Sequence, residues 1–145
     1  MPLVFRSMKR SDDGLPVVGS NSKELGVRVP PNPNADIDIA TDGTVELNGR
    51  GMSASAHWTD LLPHLIPKRL KQHCPDAIGS NALACYRCGE GEFRDGPLGG
   101  DLELRLKPGK SRNGNIVPAG HLTVDQFQSA LAATRDEWIV DEDPA

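Results

Sequence analysis

Aromatic side chains are scarce in this chain, which has one tyrosine, two tryptophans and three phenylalanines among 145 residues. A core must therefore be built mostly from Leu, Ile, Val and Ala, with the few aromatic rings as bulky anchors. Glycine and proline are plentiful instead, at 15 and 12 residues. This composition favours long irregular connections on a small scaffold, and the length favours one domain.

A long apolar run is also lacking. No stretch reaches the roughly 18 apolar residues of a membrane-spanning helix, so we expect no membrane partner. We expect no secretory signal in segment 1–6, because its apolar stretch is too short. A net charge of −4 argues against nucleic acid as a partner. We expect a cytoplasmic protein that, where it reaches another cell, travels by a route without a signal peptide.

Cysteines number only three, and an odd number argues against a closed disulfide framework and for a reducing compartment. Cys85 and Cys88 have the spacing of half a zinc site, and His73 and Cys74 could supply the rest. The adjacent His-Cys pair does not have the usual spacing. We therefore expect free thiols and no bound metal, with zinc as the alternative.

Alternation of apolar and polar residues predicts the strands, of which Leu102–Leu106 is the most regular. Further strands are predicted at 3–8, 15–18, 25–29, 82–87 and 115–117, with a hairpin over 36–48 that turns at Asp42-Gly43. The glycine-rich stretch 89–100 predicts a loop. Residues 58–73 have helical spacing, but Pro63 and Pro67 restrict them to short pieces.

The C-terminal helix has the strongest local signals. Thr123 and Gln126 form a capping-box pattern. Apolar and small residues then recur at helical spacing, which predicts one core-facing stripe that runs on to Trp138. We expect a domain over residues 1–140 and a frayed acidic tail over 141–145.

Four polar residues are candidates for chemistry. Arg6 ends a predicted strand, where a guanidinium can grip a phosphate or ribose. Ser53 and Ser55 are small hydroxyls that can line a pocket, and Glu103 is a carboxylate that can stabilise an oxocarbenium-like ribose. Each also has a plain structural explanation: the serines can cap the segment at Trp58, and Glu103 can face solvent.

Three stretches resemble one toxin family. They are the opening Val4-Phe5-Arg6, the central Gly51-Met52-Ser53 with Ile66-Pro67 after it, and the C-terminal Ile116-Val117-Pro118-Ala119 with Leu131, Arg135 and Trp138. The chain resembles the small NAD-dependent toxins of bacterial type VI secretion, the second-effector family with an ADP-ribosyltransferase-like fold. It departs from the family at Met52, where the family has Thr, and at Asn113, where it has His.

The resemblance implies an α+β fold with a split, mixed β-sheet, a few short helices and a C-terminal amphipathic helix. It implies NAD as a substrate, a cognate immunity protein and a secretion apparatus as partners. Arg6, Ser7, Ser53 and Ser55 would bind NAD, and Ser53, Glu103 and Asn113 would be catalytic. The reaction would be transfer of ADP-ribose to a macromolecule or hydrolysis of NAD.

Two other functions stay open. A ribonuclease toxin would use Arg6, the basic cluster Lys68–Lys71 and a histidine among His57, His64 and His121, although the acidic charge balance argues against it. The second is a non-enzymatic partner-binding protein, which a zinc ion bound to Cys85 and Cys88 would stabilise.

Overall fold

The computed structural model describes residues 1–145 as a seven-stranded sheet with one α-helix and four short 3₁₀ turns. The strands are β1 (Val4–Lys9), β2 (Met52–Ser55), β3 (Leu83–Cys88), β4 (Gly96–Gly99), β5 (Leu102–Leu106), β6 (Asn113–Pro118) and β7 (Ile139–Val140). The helix α1 spans Val124–Ala132. The protein is therefore of the α+β class.

The sheet order is β4-β5-β6-β2-β1-β3-β7, and every strand pairing is antiparallel. The prediction of a mixed sheet was therefore wrong. Parallel pairs need long crossover connections, usually helical, and this chain offers few helices. Its connections are irregular segments that leave and re-enter the sheet in antiparallel order.

Side chains alternate between the two faces of the sheet, and each face has its own core. The larger core, which includes Val4, Met8 and Ile116, lies on one face under α1. The smaller core packs Phe5 and Cys85 against Trp58 on the other face. This smaller core covers only the β1–β3 half, so the second face is covered less over β2, β6 and β5.

β2 lies close to β6 because Gly51, the residue before β2, has no side chain. A Cβ atom at Gly51 would lie 2.1 Å from the carbonyl oxygen of Ile116, so only glycine lets the chain enter β2 here. From Met52 to Ser55 the strand pairs residue by residue with β6, ending with Ser55 opposite Asn113. The glycine thus permits the close pairing that puts Ser53 opposite Asn115 and Ser55 opposite Asn113.

Several predicted elements differ from the observed ones. The segments 15–18, 25–29 and 36–48 form only isolated bridges, such as Ile39 with Val45, and not strands. The predicted loop 89–100 contains β4. Residues 58–73 form three 3₁₀ turns, Trp58–Asp60, Pro63–Leu65 and Lys68–Leu70. The capping box of α1 is confirmed, but the helix ends at Ala132 and a 3₁₀ turn, Arg135–Glu137, precedes Trp138.

The C-terminal residues are attached, contrary to the expected frayed tail. The backbone N–H of Asp141 donates to the Cys85 carbonyl at 2.9 Å. Glu142 accepts two hydrogen bonds from Arg69, at 3.1 and 2.9 Å. The indole N–H of Trp58 donates to the Asp143 carbonyl at 2.7 Å. These bonds join the chain end to β3 and to the 3₁₀ turns. No helix has the length and apolar character that crossing a membrane requires.

Candidate functional site

A cleft opens where β1 and β2 diverge. The two strands share one registered pair, Phe5 with Ser55, whereas β1 pairs with β3 at six positions. Beyond that pair the strands separate, and a cleft of about 180 Å³ lies beside the gap. Five of the residues predicted from the sequence line it: Arg6, Ser7, Ser53, Ser55 and Asn113.

Arg6 bridges the gap between the diverging strands. Its Nη1 donates to the carbonyl and the Oγ of Ser53, at 2.9 and 3.0 Å. Its Nη2 donates to the carbonyls of Ser22 and Glu24, at 3.1 and 3.0 Å. These four bonds use every Nη hydrogen of the guanidinium. The arginine predicted to grip NAD is therefore already bound to its own chain, and it holds Ser53 in position.

The surroundings of Arg6 contain two unsatisfied polar atoms. Arg6 is 6 % exposed and Ser7 is 2 % exposed, and neither Arg6 Nε nor Ser7 Oγ has a hydrogen-bond partner. Burial lowers the pKa of Arg6 from 12.5 to about 10, against the opposing charge of Asp36. Both atoms are enclosed by protein, and an unpaired buried polar atom is energetically unfavourable.

The floor of the cleft consists of hydroxyl and amide groups. Ser55 Oγ donates to Asn113 Oδ1 at 3.3 Å, which leaves the Asn113 amide NH₂ free to donate. Ser53 Oγ accepts from Arg6, so its own hydrogen is free. The floor therefore offers directed donors of the kind that recognise carbonyl and hydroxyl oxygens. Neither serine caps the segment at Trp58, because the His57 side chain accepts from Thr59 N there.

The walls add apolar surface and charge. Leu61, Leu62 and Leu65 form the apolar side. Asp60 is the one carboxylate in the lining, and Arg112 donates to its Oδ2 from two nitrogens, at 3.1 and 2.8 Å. Asp60 belongs to the first 3₁₀ turn, whose Trp58 is buried in the smaller core and so fixes the wall.

Glu103 does not lie in this cleft. It is on β5, opposite Val117 of β6, and its Oε1 accepts from Arg105 Nε at 2.9 Å. It lines a separate groove of about 550 Å³. The strand alternation that put Glu103 on the polar face was interpreted correctly, but alternation gives no position across the sheet, and β5 is two strands away from β2.

The cysteines are separated by the sheet. Cys85 packs in the smaller core and Cys88 in the larger one, because three residues along a strand lead to opposite faces. Burial raises the pKa of Cys85 to about 12 and that of Cys88 to about 11. No three side chains among His, Cys, Asp and Glu lie together as a metal-binding group. Cys85 and Cys88 therefore do not share an ion.

The residues of the ribonuclease hypothesis are dispersed. No histidine lines the cleft. Arg69, in the middle of the basic cluster, is paired with Glu142 and donates to the carbonyl of Leu83 at 3.0 Å. The cluster thus serves in part to hold the chain end.

Seven residues of the lining were not predicted as site residues: Ser22, Ala54, Asp60, Leu61, Leu62, Leu65 and Lys107. Ala54 belongs to β2, and the others come from irregular segments and 3₁₀ turns, where no pattern indicates a site. Comparisons with protein-family models, with curated proteins and with solved structures gave no match.

Proposed function

We propose that the cleft binds the nicotinamide-ribose part of NAD and that the protein is an ADP-ribosyltransferase-like toxin, with a fold of that class. The observation that carries the proposal is the convergence on one cleft of Arg6, Ser7, Ser53, Ser55 and Asn113, which come from three separate strands. The resemblance assigns Arg6, Ser7, Ser53 and Ser55 to NAD binding, and it assigns Ser53 and Asn113 to catalysis.

The chemistry of the lining supports this ligand. Nicotinamide is a flat ring with a carboxamide, and it needs an apolar wall and a few directed polar groups. Leu61, Leu62 and Leu65 supply the wall. The Asn113 amide and the hydroxyl of Ser53 supply donors.

Asp60 is the carboxylate that we assign to the cation, in place of Glu103. In the reaction the bond between the ribose C1′ and the nicotinamide nitrogen breaks, and nicotinamide leaves with the electron pair. A nucleophile of the acceptor, or water, then attacks C1′ and loses its proton. A carboxylate stabilises the oxocarbenium-like state between these events. Asp60 fits because it lines the cleft and because Arg112 orients its Oδ2.

Arg6 has a positioning role in this proposal. Its guanidinium holds the Ser53 backbone and hydroxyl, so the cleft is formed before the ligand arrives. Such preorganisation reduces the ordering cost of binding.

The test is release of nicotinamide at saturating NAD by the wild type, Asp60→Asn and Glu103→Gln. We expect Asp60→Asn to lower the rate at least about 100-fold, in the range of losses that follow removal of one stabilising group. Glu103→Gln should keep the rate within about threefold. Asp76→Asn, an exposed carboxylate without a partner, is the matched control. Equal turnover in Asp60→Asn and the wild type would remove Asp60 from the reaction.

The biological part of the proposal is toxicity in the cytoplasm of a target cell, delivery by a secretion apparatus and neutralisation by an immunity protein that covers the cleft. Leu62 at the cleft is 61 % exposed, so its side chain is accessible to such a partner. Expression should arrest growth for the wild type and not for Asp60→Asn. Arrest by both variants would separate toxicity from this cleft.

A further inference from the structure

The groove that contains Glu103 lies on the same sheet face as the cleft. Ser53 and Ser55 pair with Asn115 and Asn113, and Asn115 pairs in turn with Arg105. Residues directly opposite each other in neighbouring strands point to one face. The polar face is therefore continuous from β2 across β6 to β5, and the smaller core does not cover this half of the sheet.

Lys107 belongs to both spaces, since it lines the cleft and the groove. Its backbone N–H donates to the Asn113 carbonyl at 3.0 Å, which fixes it beside the floor of the cleft. Lys107 is exposed, and its ammonium forms no ion pair, although eight ion pairs occur elsewhere in the chain. A free cation thus marks the boundary between the two spaces.

Arg105 follows along the same face, two residues before Lys107 and so roughly 7 Å away along the strand. Its only side-chain hydrogen bond runs from Nε to Glu103. Both Nη groups remain available, and they form the fork that binds phosphate oxygens in pairs. Glu103 thereby has a positioning role, because it holds the guanidinium through Nε and leaves both Nη groups free.

The volumes of the cleft and the groove indicate how the two halves of a dinucleotide would be divided between them. The cleft holds about 180 Å³, below the roughly 300–1,000 Å³ of pockets that enclose a drug-sized ligand. The groove adds about 550 Å³. Its charged lining has three cations, Arg50, Arg105 and Lys107, against two carboxylates, Asp95 and Glu103. Arg50 pairs with Asp38 outside the lining, and Asp95 Oδ1 accepts from Leu106 N.

We infer that this groove binds the ADP half of the dinucleotide, with Lys107 and the Arg105 fork on the diphosphate and the adenosine beyond it. The inference rests on the proposed function for its ligand. The apolar surfaces of Leu47, Pro108 and Val117 in the groove suit a base. One ligand then runs along the open face from the gap between β1 and β2 to β5.

The experiment compares the affinities of NAD, ADP and nicotinamide riboside for the wild type, Arg105→Ala and Lys110→Ala. ADP and nicotinamide riboside are the two halves of NAD. Lys110 is exposed and lies outside the lining of the groove. Its replacement by alanine removes one positive charge, as Arg105→Ala does, and therefore serves as the control for net charge. We expect Arg105→Ala to weaken NAD and ADP at least about 10-fold, because a hydrogen-bonded charged contact is lost. Nicotinamide riboside should change less than about twofold, and Lys110→Ala should behave as the wild type.

Each other result has a distinct meaning. If Arg105→Ala binds NAD as the wild type does, the groove assignment is overturned and the cleft proposal stands. If Lys110→Ala weakens NAD and ADP binding as much as Arg105→Ala does, the loss of affinity reflects net charge alone, and the groove assignment is also overturned. If the wild type binds neither NAD nor nicotinamide riboside, the proposed function fails. ADP binding that still depends on Arg105 would in that case support the groove as an ADP site, and no ADP binding would overturn it.

Discussion

Replacement of Arg6 by lysine should destabilise the protein much more than replacement of an exposed arginine. Four hydrogen bonds of 2.9–3.1 Å connect the Arg6 guanidinium to Ser53, Ser22 and Glu24. A lysine ammonium is a compact group without the planar fork, so it cannot reach both sides of the gap. We expect at least two of the bonds to be lost. The lysine retains the charge, so the comparison isolates the geometry of the guanidinium.

The magnitude follows from the bonds. A hydrogen bond that involves a charged group contributes about 1.5–3 kcal/mol, so two lost bonds correspond to a loss of about 3 kcal/mol or more in the free energy of unfolding. Burial opposes this contribution, as the lowered pKa of Arg6 indicates, but the lysine charge would be buried in the same place. In a protein of this size, a change of about 3 kcal/mol lowers Tm by roughly 6–12 °C.

Urea unfolding followed by tryptophan fluorescence measures this loss, because Trp58 and Trp138 are 0 % and 2 % exposed and report on the two cores. Arg112→Lys is the matched control. Arg112 is exposed and pairs with Asp60, so its change should stay within about 0.5 kcal/mol. An Arg6→Lys variant as stable as the wild type, but unable to bind NAD, would refute the positioning role and restore Arg6 as a direct ligand contact.

Three further predictions concern other parts of the fold. In native protein at pH 8, an alkylating reagent should modify the half-buried Cys74 first, because the buried Cys85 and Cys88 have raised pKa values. Those raised values should also lower the free energy of unfolding above about pH 9, where the unfolded thiols ionise and the folded ones do not. Glu142→Ala should cost about 1–2 kcal/mol in chemical unfolding, since it removes both bonds from Arg69. Thr123→Ala should cost about 1 kcal/mol by the same assay, because the capping box is lost. Equal reactivity of all three thiols, or changes below about 0.3 kcal/mol in either variant, would contradict these assignments.

Local signals predicted the elements that depend on local physics. The capping box at Thr123 and the alternation over Leu102–Leu106 were confirmed, because neighbouring residues alone determine those features. β2 and β4 were missed, since each has four residues and exists through pairing with a distant strand. The hairpin pattern over 36–48 gave a turn with two isolated bridges, Ile39 with Val45 and Thr44 with Thr123, because the segment does not pair with a strand of the sheet.

The candidate site shows the same division. Residue chemistry and the resemblance selected Arg6, Ser53 and Asn113, and the structure brings these together. The partners of Arg6 at Ser22 and Glu24 lie in an irregular segment, so no pattern connects them with β1. Side-chain chemistry can thus be selected from a sequence, whereas distance across a sheet depends on strand order, which separated Glu103 from the cleft.

The most direct test of the account is a calorimetric titration of NAD into the wild type and Ser55→Ala. Ser55 is 5 % exposed and orients Asn113 in the cleft floor. Its change to alanine removes one hydroxyl and no charge. We predict binding by the wild type and a loss of at least about 10-fold in Ser55→Ala, with a fall in Tm of no more than about 6 °C for the one lost hydrogen bond. No heat of binding from folded wild-type protein, or equal affinities in the two proteins, would contradict it.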